Sequence, residues 1–237
     1  MATIQVAGEV EETGKESLRT ATTSIGKGVQ ELRDIPQSVT VVTEKLLDDR
    51  NLTTLKESLK QTGGVAFLAA EGGEEDIRLR GFSLQASGDI FIDGMRDPAF
   101  YDRDSFNWDR LEVLRGSASM LFGRGSTGGA VNQVTKQPNL RNFREFSLTG
   151  GSGRNGRVLS DLNFALSDSI ALRLNGMFNH SDGYGYGVDK YGVAPALRFG
   201  IGSDNDLTVS AFHLNNDNGI HYGLPWLAPG ATRGGNY

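Results

Sequence analysis

The chain has 237 residues, 38% of them hydrophobic, with 32 glycines, no cysteine and a formal net charge of −5. That leaves room for one large or two small domains, excludes disulfide and thiol chemistry, and argues against nucleic acid, which a basic surface would serve. No apolar run approaches the ~20 residues of a membrane helix, whereas a membrane β-strand needs only alternation over ~10 residues and stays open.

The chain starts without a basic stretch followed by an apolar one, so a signal peptide is not expected in it. Residues 1–30 are polar and lack periodicity, which predicts a mobile tail. Within it, Thr3, Ile4, Gln5, Val6 and Ala7 form a short β-prone segment able to add to a sheet edge. A strand is predicted over Val39–Val42, with Thr43 capping a helix over Glu44–Asp49. Thr54-Leu-Lys-Glu57 is a capping box that opens a second helix, ended by Gly63-Gly64. Leu52, Leu55 and Leu59 share one helical face and read as core. Glu71–Asp76 carries four carboxylates around two glycines, without the ligand spacing of a calcium loop, and reads as solvated.

Ile77–Phe82 alternates apolar and basic residues, as a strand with Arg78 and Arg80 on one face. Asp89–Asp93 is a second strand turned by Gly94, and Met95–Tyr101 a loop with aromatics and a proline. Arg96, Phe100 and Tyr101 there make a platform for a flat, anionic ligand. From Asp109 to Pro138 the reading is strand, a one-turn helix over Ala118–Phe122 capped by Ser117, a glycine loop, and a strand over Ala130–Thr135. Gly123, Gly125 and Gly128 satisfy G-x-G-x-x-G. A strand follows them instead of the helix whose N-terminus would hold a pyrophosphate, so nucleotide binding is set aside.

After Pro138 short alternating segments follow one another. Val158, Leu162, Phe164 and Leu166 alternate with Asp161, Asn163 and Ala165. Ile170, Leu172, Leu174 and Phe178 alternate with Arg173, Asn175 and Asn179, and Val193, Leu197, Phe199 and Ile201 with Ala194, Ala196 and Arg198. Ser167-Asp168 is a tight turn and Asp182–Asp189 a longer loop. Leu207–Leu214 is a further strand of open register. Such alternation fits a soluble sandwich nearly as well as a barrel, and the polar wall of Arg173, Asn175 and Asn179, which a water-filled lumen accepts, supports the barrel without deciding it. His180, His213 and His221 stand in no metal motif and no serine sits in G-x-S-x-G, so catalysis is not expected.

Four stretches in order, Asp34–Val42 (DIPQSVTVV), Asp76–Phe82 (DIRLRGF), Ile90–Arg96 (IFIDGMR) and Glu112–Pro138 (EVLRGSASMLFGRGSTGGAVNQVTKQP), resemble the plug domain of TonB-dependent outer-membrane receptors, the ferric-siderophore branch in particular. The resemblance implies an α+β plug domain over 31–140 followed by antiparallel transmembrane β-barrel strands over 141–237. That barrel is incomplete, since the family closes with twenty-two strands around its plug. It implies a receptor, not an enzyme, in the outer membrane of a Gram-negative bacterium, importing ferric siderophore. Its partners are outer-membrane lipid and TonB with the inner-membrane energising complex. No cofactor is implied, the iron travelling inside the ligand.

The 1–30 tail then carries the TonB box at Thr3–Ala7. Ligand contacts fall on Arg80, Arg96, Phe100, Tyr101, Tyr222 and Trp226. Arg80 and Arg115 resemble plug arginines that either pair with barrel carboxylates or turn toward ligand, and both roles stay open. The competing reading is a soluble periplasmic plug-like binding module without transport.

Overall fold

The computed structural model describes residues 15–67, 76–97, 101–123, 127–182 and 187–219. It opens with a small hairpin, β1 (Thr22–Thr23) and β2 (Gln30–Glu31), then β3 (Ser38–Thr43), α1 (Glu44–Asp49) and α2 (Leu55–Lys60). Next come β4 (Val65–Phe67), β5 (Ile77–Leu79), β6 (Phe82–Ser83), α3 (Leu84–Ser87), β7 (Ile90–Ile92) and β8 (Met95–Arg96). β9 (Trp108–Arg115), α4 (Ser119–Phe122) and β10 (Gly129–Thr135) complete the first half. Among the described residues the regular elements of the second half are all strands: β11 (Phe143–Gly151), β12 (Asn155–Ser167), β13 (Ile170–Ser181), β14 (Val188–Phe199), β15 (Leu207–Ser210) and β16 (His213–Asn218).

The first half is built on a five-stranded sheet ordered β3-β9-β10-β7-β8, beside a three-stranded sheet β4-β5-β6. One face of the larger sheet packs Leu111, Val113 and Val131 against Leu47 of α1 and Leu55 and Leu59 of α2. The capping box is present: the Glu57 amide donates to Thr54 Oγ1 at 3.2 Å, and Glu57 Oε2 accepts from the Thr54 amide at 3.2 Å. Thr43 does stand at the N-cap of α1, but its hydroxyl makes no cap bond. The burial of Leu47 holds that six-residue helix in place. At α4 the N-cap is Ala118, one residue past the expected Ser117.

The other face of the sheet corrects the expectation of a free tail up to residue 30. Ile25, 1% exposed, seats among Phe91, Leu114, Ala118, Phe122 and Ala130. Beside it the fully buried Glu112 accepts from the Ser24 amide at 2.8 Å, Arg110 Nε at 3.0 Å and Asn132 Nδ2 at 3.0 Å. The β1–β2 hairpin is therefore the cover of that face.

Positive φ marks the turns. Asp93 and Gly94, at 48° and 78°, form the tight hairpin expected there. Arg80 and Gly81, at 52° and 85°, do the same, so the strand expected across Ile77–Phe82 is two strands folded back at Arg80. Gly128 and Gly129 explain the glycine loop without any phosphate. A Cβ on them would lie 2.3 Å from the Leu79 carbonyl oxygen and 2.2 Å from that of Leu114, so only glycine lets β10 enter between its neighbours.

The second half is a single antiparallel sheet, β11-β12-β13-β14, with β15 and β16 both on β14. β11 was not among the strands expected. β15 and β16 share one register against β14, and the gap between them lies opposite Pro195. The Ala211 amide donates to the Pro195 carbonyl at 3.0 Å, and proline has no amide to return the bond. The strand expected over Leu207–Leu214 is thus one strand with one ladder bond missing.

Candidate functional site

The large sheet is inside out relative to a soluble one. Residues of one parity, including Arg157, Asp161, Arg173 and Lys190, are between 4% and 6% exposed and face the five-stranded domain. Residues of the other parity face away: Phe146 is 70% exposed, Leu148 80%, Phe178 54% and Val209 56%. This apolar band gives way at one end to His180, Asp189 and Asp217, which share the outward parity. A polar inner face and an apolar outer band ending in polar residues is the arrangement of a wall in lipid. A sandwich would place these faces the other way round.

Against the polar face sits the plug, through four groups of contacts. Toward the long-loop end, Asp104 (2% exposed) and Arg157 form a buried bidentate pair at 2.6 and 2.9 Å. Asp102 pairs with Lys190, and its carbonyl accepts from Asn216 Nδ2 at 3.0 Å. In the middle, Phe106 packs on Met177 and Ala194 and stacks on Phe212 at 5.8 Å. Gly192 makes room for it, since a Cβ there would lie 2.9 Å from the Phe106 ring. Lower down, Lys136 bridges Glu44 of α1 at 2.9 Å and Asp161 at 3.3 Å, and Arg173 clamps Asp161 at 2.7 and 2.8 Å. Toward the short-turn end, Asn163 Nδ2 donates to the Asn139 carbonyl at 2.7 Å and Arg173 Nη1 to that of Gln137 at 3.0 Å.

Of the predicted ligand residues, Arg96 and Tyr101 lie at different ends of the plug sheet. Arg96 lies at the Phe122 end of the plug sheet, donating to the carbonyls of Ser87, Gly88 and Phe122 at 3.1, 3.1 and 3.0 Å, with its guanidinium over Phe91. Tyr101 lies toward the Trp108 end. It borders a cavity of about 190 Å³ that is also lined by Asn107, Trp108, Asn175 and Phe212. Its hydroxyl donates to Asp97 Oδ2 at 2.9 Å, and its ring lies 4.4 Å from the Arg103 guanidinium. Arg103, 1% exposed, also donates to that Asp97 oxygen at 2.8 Å, so one buried arginine holds the loop.

Arg115 donates to the Gly63 carbonyl at 2.9 Å and to Thr40 Oγ1 at 2.7 Å. Burial first, and then the charge of neighbouring Arg80, hold its guanidinium below the usual arginine range. Neither Arg80 nor Arg115 has an ion pair with a carboxylate among the described residues. Phe100, Tyr222, Trp226, the Thr3–Ala7 segment and residues 71–75 lie outside the described residues.

Comparison with known proteins agrees with this geometry. Residues 31–130 match the TonB-dependent receptor plug domain. The chain is 32% identical over 221 residues to the probable TonB-dependent siderophore receptor PiuA of Acinetobacter baumannii, covering 90% of this chain and 30% of PiuA. It is 34% identical over 202 residues to the catecholate siderophore receptor Fiu of Escherichia coli K12, covering 82% of this chain and 26% of Fiu. The pyoverdine receptor FpvA of Pseudomonas aeruginosa PAO1, solved with pyoverdine bound, superimposes with a TM-score of 0.80 at 26% identity, over 90% of this chain and 32% of that one. The chain belongs to the TonB-dependent receptors, outer-membrane proteins of Gram-negative bacteria. It spans about 30% of the length of PiuA.

Proposed function

We propose that this chain is the plug and the first wall strands of a receptor that brings ferric siderophore through the outer membrane, driven by TonB. The observation that carries this is the plug seated on the charged face of an inside-out wall. A folded stopper held against a polar lumen is what gated passage needs. The relatives' names, siderophore receptor for PiuA and catecholate siderophore receptor for Fiu, support the cargo class. Iron enters as part of that cargo, with no resident metal required.

Both outer edges of the wall sheet, β11 on one side and β15 with β16 on the other, present unpaired backbone among the described residues. An open edge does not persist in lipid, so in the membrane further strands close it into a barrel. The Thr3–Ala7 segment is the TonB-pairing peptide in this reading, joining a strand of TonB edge to edge.

The test is siderophore-dependent iron uptake by cells carrying the receptor. Deleting residues 1–10 abolishes uptake while surface binding of ferric siderophore persists. Uptake unchanged by that deletion overturns coupling through the N-terminal segment.

A further inference from the structure

Lys15, well ahead of β1, reaches into the seam between plug and wall. Its Nζ pairs with Glu145 of β11, lies 3.3 Å from Glu44 Oε1 on α1, and lies 3.9 Å from Asp161 Oδ2 on β12. The cavity around it, about 350 Å³, is also lined by Asp48, Lys136 and Arg157. The neighbouring cations are already committed. Arg157 is clamped to Asp104, Arg173 to Asp161, and Lys45 to Asp49 at 2.8 Å. Lys136 is shared between Glu44 and Asp161. Among the described residues Glu145 has no ion-pair partner but Lys15.

We propose that Lys15 is a withdrawable pin. Its ammonium ties α1 of the plug to β11 and β12 of the wall, and pulling the N-terminal segment extracts it. Glu44, Asp48, Glu145 and Asp161 then face one another across the seam with too few cations, and like-charge repulsion opens the plug–wall contact at α1. This rests on the reading that the N-terminal segment is the part TonB pulls. It adds to that reading a local consequence of the pull, namely which contact gives way first and why.

The pH dependence follows from the same groups. Burial lifts the carboxyls of Glu44 and Asp48 above the usual range, against the pull of Lys136 and Lys15. A carboxyl raised in the folded state favours that state below its ordinary range, and the benefit is lost as pH rises through the raised value. At neutral pH Lys15 supplies the compensation, and as pH falls protonation of Glu44 and Asp48 takes over part of it.

The test measures hydrogen-exchange protection in the intact receptor in detergent, without TonB or siderophore, for residues 44–49 and 143–151. At pH about 7.5, K15Q lowers protection there about tenfold, as expected for a half-buried pair. K15R retains it. At pH about 5 K15Q approaches the wild type, and adding E145Q to K15Q restores protection at neutral pH. The pin is overturned if K15Q matches the wild type at neutral pH, or if K15Q and K15R lose protection alike at both pH values. It is also overturned if β9 and β10 lose protection too, which marks general unfolding. Because no transport is measured, these outcomes stand apart from whether deletion of residues 1–10 stops uptake.

Discussion

The plug's own core and its seam with the wall are buried to the same degree by opposite means. In the core, Leu55, Leu59, Leu111, Val113 and Val131 are inaccessible and apolar. In the seam, Arg157, Asp161, Arg173 and Lys190 are at most 6% exposed and ionic. Apolar cohesion is non-directional and nothing in water replaces it. Ion pairs and hydrogen bonds fix one register, yet each group regains hydration once apart, so their net worth is far below their number. A domain with a dry core and a polar seat can leave its seat without losing its fold.

Four variants probe that contrast. The largest effect is expected from Asp104→Ala, which leaves Arg157 buried and unpaired at a cost of about 3–5 kcal/mol to the seam. It is read as easier release of the plug from the wall in denaturant. Asp104→Leu with Arg157→Met recovers most of the loss, since a packed apolar pair of similar volume often replaces a buried ion pair without penalty. Leu111→Ala costs about 2–5 kcal/mol and acts on the other region. Exchange rises across β9 and β10 while β12 and β13 keep their protection. Were D104A to unfold β9, or L111A to loosen β12, the two regions would not be separable as described. Smallest is Thr54→Ala, about 1 kcal/mol from the lost cap, seen as faster exchange at Glu57 and Ser58 alone.

What could be read beforehand followed from local chemistry. The Thr54–Glu57 box, the Asp93-Gly94 turn and the alternation of β12, β13 and β14 each involve residues a few positions apart. β11 escaped because both its faces are mixed. Arg144 shares the outward parity with Phe146 and Leu148, while Phe143 points inward beneath the Arg173 guanidinium, 5.2 Å away. The seam escaped for a different reason. Asp104 and Arg157 are 53 residues apart, Lys136 meets Glu44 across the plug, and each charge taken singly looks solvated. One clue was present: Arg157, Asp161, Arg173 and Lys190 all fall on the parity opposite the apolar residues. The direction of that parity, toward a plug and not toward water, is set only once the two halves are together. Arg96 and Tyr101 look like one platform because they are close in sequence, and the hairpin of β7 and β8 sends them to different ends of the sheet.

The hairpin over Thr22–Glu31 bears on how the first domain can be isolated. A fragment cut at residue 31, where the family pattern begins, leaves Phe91, Leu114, Phe122 and Ala130 bare to solvent and removes the Ser24 amide from the inaccessible carboxylate of Glu112. Such a piece is expected to clump on purification. Moving the start upstream of Thr20 restores the lid that makes the domain self-sufficient.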